Sequence, residues 1–196
     1  MNCKNLSVAP AHCLEKRFKK LLYSVSFIAL THMALNIPAA VAADINRWTG
    51  AASADWNDAG NWSLGHAPSA NNNVIINSAT LWPTISTAIT NFQGPITVGG
   101  SNQSGELTIN NGGSLMQSRK VLHIAGNAPG FGASVTLSGA GSKLISTTLG
   151  EVRVGAKDLE GFLSLGAGTA ISGSQIFIGY ENNATGRVTS PVPVRI

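Results

Sequence analysis

An apolar residue followed by glycine or alanine recurs down the second half of this 196-residue chain. Val98-Gly99, Ile124-Ala125, Val154-Gly155 and Ile178-Gly179 follow one another at intervals of 26, 30 and 24 residues. After each doublet comes a related phrase: Gly105-Glu-Leu107-Thr-Ile109, Gly132-Ala-Ser-Val135-Thr-Leu137, Gly161-Phe-Leu163-Ser-Leu165 and Gly186-Arg-Val188-Thr189. A period of this size marks a repeat architecture. A chain so built stacks units along one axis, and its working part is an extended surface more often than a pocket.

Within a repeat the apolar anchors are closely spaced. Val98, Leu107, Leu115 and Ile124 lie 9, 8 and 9 residues apart, and Val154, Leu163, Ile171 and Ile178 lie 9, 8 and 7 apart. Runs such as Leu107-Thr-Ile109 and Val135-Thr-Leu137 alternate with period two, the strand signal. Three short strands and three turns per repeat fit one coil of a three-sided parallel β-helix, with Val, Leu and Ile inside. Residues 98–189 are assigned to about three such coils. A propeller blade would need a longer period and four strands. Gly112-Gly113, Gly139, Gly141, Gly166 and Gly168 fall where corners need a positive φ or close approach. Asn110 and Asn111 can stack at a corner.

Composition matters only once the chain is divided. All 22 glycines follow Ala43, whereas Cys3, Cys13 and five of the 13 basic residues precede it. Residues 44–196 carry eight acidic and eight basic side chains, so the basic excess belongs to the leader and gives no reason to expect nucleic acid. Lys16-Arg17-Phe-Lys19-Lys20, a largely apolar stretch from Leu21 to Leu35, and a small-residue end Pro38-Ala-Ala-Val-Ala-Ala43 are the parts of a secretory signal peptide. Residues 1–43 are read as a helical signal peptide cleaved between Ala43 and Asp44. The apolar stretch is short for a membrane span, which needs about 20 residues. The exported remainder has no cysteine, hence no disulfide and no thiolate metal site.

Residues 44–97 are read as an N-terminal cap and lead-in. All four tryptophans lie here, in Trp48-Thr-Gly50, Asp55-Trp56-Asn57, Asn61-Trp62 and Trp82, among turn-forming Asn, Asp and Gly. Trp48, Trp56 and Trp62 have two readings. They cover the open first coil of the solenoid, or they stack on a glycan. The cap is preferred.

A search for chemistry yields little. Asp158 and Glu160 read as a solvated loop beside Lys157, and Asp55 and Asp58 as turn residues. His66 and His123 do not share a metal-ligand spacing, and His123 should point outward from its strand. No nucleophile elbow, phosphate loop or calcium-binding nonapeptide is complete. No catalytic, cofactor-binding or metal residue is assigned, and the chain is read as not an enzyme.

The Trp48-Thr-Gly … Asp55-Trp … Asn61-Trp … Gly65 … Pro68 opening resembles the start of bacterial autotransporter passenger domains. So do the Val-Gly … Gly-x-Leu-Thr-Ile-x-x-Gly-Gly-x-Leu repeats and Val135-Thr-Leu-Ser-Gly-Ala-Gly-Ser. The resemblance covers roughly residues 44–189. It implies a right-handed β-helix, exported by a Gram-negative cell through its own outer-membrane β-barrel, and a surface role in adhesion or virulence toward a host-surface or glycan ligand. The pattern breaks at residues 190–196, where Pro191 and Pro193 cannot donate to a strand ladder. Two readings stand: the first part of a longer gene, which would leave the product periplasmic, or a short protein whose prolines end the last coil. With about three coils and no C-terminal cap, the last coil is expected to be loosely folded and open to self-association. The rival function is a carbohydrate-binding or polysaccharide-acting β-helix, which would need carboxylates clustered across adjacent coils.

Overall fold

The computed structural model describes residues 43–191 except 78, 101–102, 126–131, 148 and 157. Residues 1–42 of the signal-peptide assignment, Lys157 and Pro193 therefore lie outside the described residues. Fifteen strands follow in order: β1 (Ile45–Arg47), β2 (Asn73–Ile76), β3 (Thr84–Ile85), β4 (Ala88–Phe92), β5 (Ile96–Val98), β6 (Gly105–Ile109), β7 (Ser114–Gln117), β8 (Val121–Ile124), β9 (Ala133–Leu137), β10 (Lys143–Ser146), β11 (Glu151–Val154), β12 (Glu160–Leu165), β13 (Ala170–Gly173), β14 (Ile176–Ile178) and β15 (Thr185–Thr189). A single turn of 3-10 helix, Ala59–Asn61, lies between β1 and β2.

The strands form three parallel sheets, each advancing by every third strand from β2 onward, with β1 added beside β2. The first has the order β1-β2-β5-β8-β11-β14, the second β3-β6-β9-β12-β15 and the third β4-β7-β10-β13. This is a three-sided parallel β-solenoid, as the anchor spacing predicts. It has about five turns and not three. One extra turn lies at the N-terminal end, where β2, β3 and β4 already form a turn inside the segment read as cap and lead-in, and β14 and β15 supply two sides of another. That turn was hidden because Ile76 is followed by Asn77 in place of glycine.

The core is a set of columns, one residue per turn. Val74, Ile96, Leu122 and Val152 are in register along the first sheet, and Ile76, Val98, Ile124 and Val154 form the column beside them. Leu107, Val135 and Leu163 stack in the second sheet, and Ile89, Leu115 and Leu144 in the third. All are buried except Ile89, which is partly so. Strands β5 to β12 alternate buried residues with more exposed ones, so a one-residue slip would turn their core columns outward.

The apolar-Gly doublet has a mechanical origin. Its second residue donates its N–H to the carbonyl of the doublet one turn earlier: Gly99 to Ile76 (2.8 Å), Ala125 to Val98 (3.2 Å), Gly155 to Ile124 (2.8 Å) and Gly179 to Val154 (2.8 Å). Gly155 holds φ +75°, a value that side chains resist, and the chain turns there from the first sheet into the second. Gly161, the second residue of the next strand, packs so closely that a methyl group would strike the Ile124 carbonyl oxygen and the Gly155 nitrogen.

Candidate functional site

The tryptophan-rich region comes first, because a ligand role is possible only if ring faces are open. Asp58 caps the 3-10 turn by accepting from the Gly60 N–H at 3.0 Å, and Asp55 accepts from the Asn57 N–H at 2.9 Å, as expected of turn residues. Asn61 is fully buried, and its side chain serves four partners. Its carbonyl accepts from Ala52 (2.9 Å) and Ser53 (2.8 Å), and its amide donates to the Ser53 hydroxyl (3.0 Å) and the Asp55 carbonyl (2.9 Å). This scaffold drives three indoles inward. Trp48, Trp56 and Trp62 are 3%, 1% and 3% exposed. Trp62 meets Trp48 edge-to-face at 5.0 Å and Trp56 at 4.9 Å. Trp48 Nε1 donates to the Leu81 carbonyl (2.6 Å), and Trp62 Nε1 to the Trp56 carbonyl (2.7 Å).

Stacking of a glycan on Trp48, Trp56 and Trp62 is therefore corrected. Sugar stacking needs an open ring face, and here the faces are covered by one another and by the core. The cluster is a lid on the first turn: β3 donates from Thr84 to Ala54 and accepts at Thr84 from Trp56, so the tryptophan loop closes the N-terminal edge of the second sheet. Ala43 and Asp44, the expected cleavage pair, are exposed residues immediately before β1.

Strand register decides whether carboxylates gather. Glu106 stands opposite Ser134, Glu151 opposite Val121, and Glu160 opposite Thr185. Asp158 occupies a turn at φ +59° and accepts from Asn183 Nδ2 at 3.1 Å, one turn away. No group of three or more His, Asp, Glu or Cys side chains with metal-binding proximity occurs among the described residues. Among them, too, no helix is long and apolar enough to cross a membrane.

The most differentiated outer patch lies on the first sheet. Thr97, His123, Arg153 and Phe177 form an outward ladder in register across β5, β8, β11 and β14. Arg153 binds Glu151 through Nη2 (2.6 Å) and Nε (2.8 Å), both to Oε2. Its guanidinium lies 3.9 Å from the centre of the Tyr180 ring, a cation–π contact, and Tyr180 meets Phe177 edge-to-face at 5.3 Å. The Tyr180 N–H bonds the Gly155 carbonyl at 3.1 Å, which fixes the ring over Arg153. His123 is outward, as its alternation predicts, yet half-buried. Its pKa is lowered from the ordinary imidazole value by burial first and by Arg153 second, with Glu151 and Glu181 opposing.

Sequence reasoning missed this patch. Its signal is the shared third place in Val121-Leu-His123-Ile, Glu151-Val-Arg153-Val and the matching second place in Ile176-Phe177-Ile, which shows only once the strands are aligned. Chemically the patch orders the last turns. Arg153 is neutralised by Glu151 and covered by Tyr180, while Phe177 keeps 37% of its surface open.

These features define a parallel β-solenoid closed at its N-terminal end by a tryptophan lid. Residues 47–128 match a family model described as a domain of unknown function, DUF8693, a span that takes in the lid and the first turns. No curated protein and no solved structure matches the chain.

Proposed function

We propose that this chain is an exported, non-enzymatic solenoid, the N-terminal part of an autotransporter-type passenger that serves as a surface scaffold of the adhesin kind. One observation carries the reading: an inner apolar column in each sheet, lidded at the start, with many outer positions given to Ser and Thr and with no cluster of carboxylates among the described residues. Such a molecule spends its sequence on length and surface. The polysaccharide-acting rival requires carboxylates of adjacent turns to face one another. Glu106, Glu151 and Glu160 instead face Ser134, Val121 and Thr185, which favours the scaffold. Burial of the three tryptophans removes their support for glycan binding, so a host-surface ligand would contact the outer faces.

Export is supported by the leader, by the absence of cysteine after Ala43, and by a fold whose first strand begins at Ile45, just beyond the expected cleavage. The test is expression of the full chain in a Gram-negative cell, followed by fractionation and intact-mass measurement. The expected product lies outside the inner membrane and begins at Asp44. A cytosolic product that retains residues 1–43 contradicts the proposal.

A further inference from the structure

One inner column of the solenoid is unlike the column beside it. Phe92, Gln117 and Ser146 stand in register at the last position of β4, β7 and β10, where the third sheet hands over to the first. They are 2%, 0% and 4% exposed. The neighbouring column, Ile89, Leu115, Leu144 and Ile171, is aliphatic throughout. Here a phenyl ring gives way to an amide, and the amide to a hydroxyl. Side-chain volume shrinks from turn to turn while the strands stay in register.

Gln117 is anchored at one end of its amide. Its Nε2 donates to the Gly94 carbonyl at 2.7 Å, which fixes the orientation, since the reverse would set two oxygens together. Gln117 Oε1 then has no hydrogen-bond partner among the described residues, and neither has Ser146 Oγ one turn on. Buried polar atoms without partners are rare in folded chains, because burial strips their hydration. Gly150 borders the same place. A methyl group on it would come within 2.9 Å of both Ser146 Oγ and the Gln117 main-chain oxygen, so these two oxygens converge beside a residue with no side chain.

We propose that this corner is a binding site for one structural water, held between β7 and β10 by Gln117 Oε1 and Ser146 Oγ. Oε1 can only accept, so its occupant must donate; a hydroxyl can do either. Water offers two donors and two acceptors in the smallest volume, and a buried water typically serves about three polar groups. The Gln117 main-chain oxygen accepts from the Thr147 N–H at 2.9 Å and keeps a second lone pair for the third contact. A calcium ion would ask for more oxygens than this corner supplies. The water would take over, in the later turns, the volume that the Phe92 ring fills in the first.

The test is a high-resolution crystal structure of the protein purified from cells expressing the full chain, joined to a double-mutant cycle in urea. The expected density is one peak at hydrogen-bonding distance, about 2.7–3.2 Å, from both Gln117 Oε1 and Ser146 Oγ. No peak there, a peak with the short contacts of a metal ion, or either atom bonded instead to another part of the chain overturns the proposal. In urea, Ser146→Ala is expected to lower the midpoint. The double variant with Gln117→Met should lose less than the two single losses added, because a shared water is lost only once. A bare hydroxyl behaves oppositely: deleting it removes an unpaired buried group and raises the midpoint. That rise, or simple additivity, overturns the proposal. Should Gln117→Met fail to fold, the density and the Ser146→Ala midpoint decide.

Discussion

Trp56 shows how much depends on where a single side chain points. As a sequence feature it is an aromatic among turns and could face a sugar; in the fold it is sealed beneath Trp62. Trp56→Ala would leave a cavity under the lid, and truncations of this kind cost about 3–5 kcal/mol. The expected result is a large fall in the urea midpoint, with the first turns most affected. An unchanged midpoint would mean the lid contributes nothing. His123 makes the opposite point, since its outward direction is legible from alternation while its charge state depends on neighbours in other turns. Burial and Arg153 lower its pKa, and Glu151 and Glu181 resist this. Folding therefore favours neutral imidazole. That stabilisation is complete above the unfolded value of ~6.5 and is lost as pH falls below it toward the folded value. Urea midpoints between pH 7.5 and pH 5 should fall less in His123→Gln than in the wild type. Equal slopes would show that His123 titrates alike in both states.

At the scale of the strand and its corner, the recurrent glycine is a packing requirement rather than a flexible link. Gly161 lies against the backbone of the previous turn, whereas a methyl group on Gly132 would meet, among the described residues, only the Phe162 ring, at 3.4 Å or more. Gly161→Ala is expected to lower thermal stability sharply and Gly132→Ala to change it little, as calorimetry of the two variants would show. Equal effects would contradict the corner mechanism. The third turn is instructive here. Ala133 occupies the register of Gly105 and Gly161, and its methyl group rests over Gly99, where a side chain would come within 2.9 Å. Sequence reading reached this scale well: the spacing of Val98, Leu107, Leu115 and Ile124 gives the three sides in the correct order, because each anchor is an inward residue of successive sheets. It failed where the markers change. The turn built from β2, β3 and β4 has a two-residue strand, a bulge and no glycine after Ile76, so period and punctuation vanish while the columns persist. The Arg153–Tyr180 contact was out of reach for a different reason. It depends on which residue of one turn lies over which of the next, and loop lengths between doublets vary.

For the molecule as a whole, a stack of turns with nearest-neighbour packing has no single core whose loss unfolds everything at once. Its stability should vary along the axis. The N-terminal turns have the lid and neighbours on both sides; among the described residues the last turn, β14 and β15, packs against one neighbouring turn and leaves Ile178 44% exposed, while Arg153, Glu151 and Tyr180 tie it to the turn beneath. Native-state hydrogen exchange tests this gradient along the axis most directly. The expected pattern is slowest exchange for the amides of β6, β9 and β11, with β13, β14 and β15 opening well before them. Uniform protection through β15 would contradict a solenoid whose stability declines from the lid along its axis.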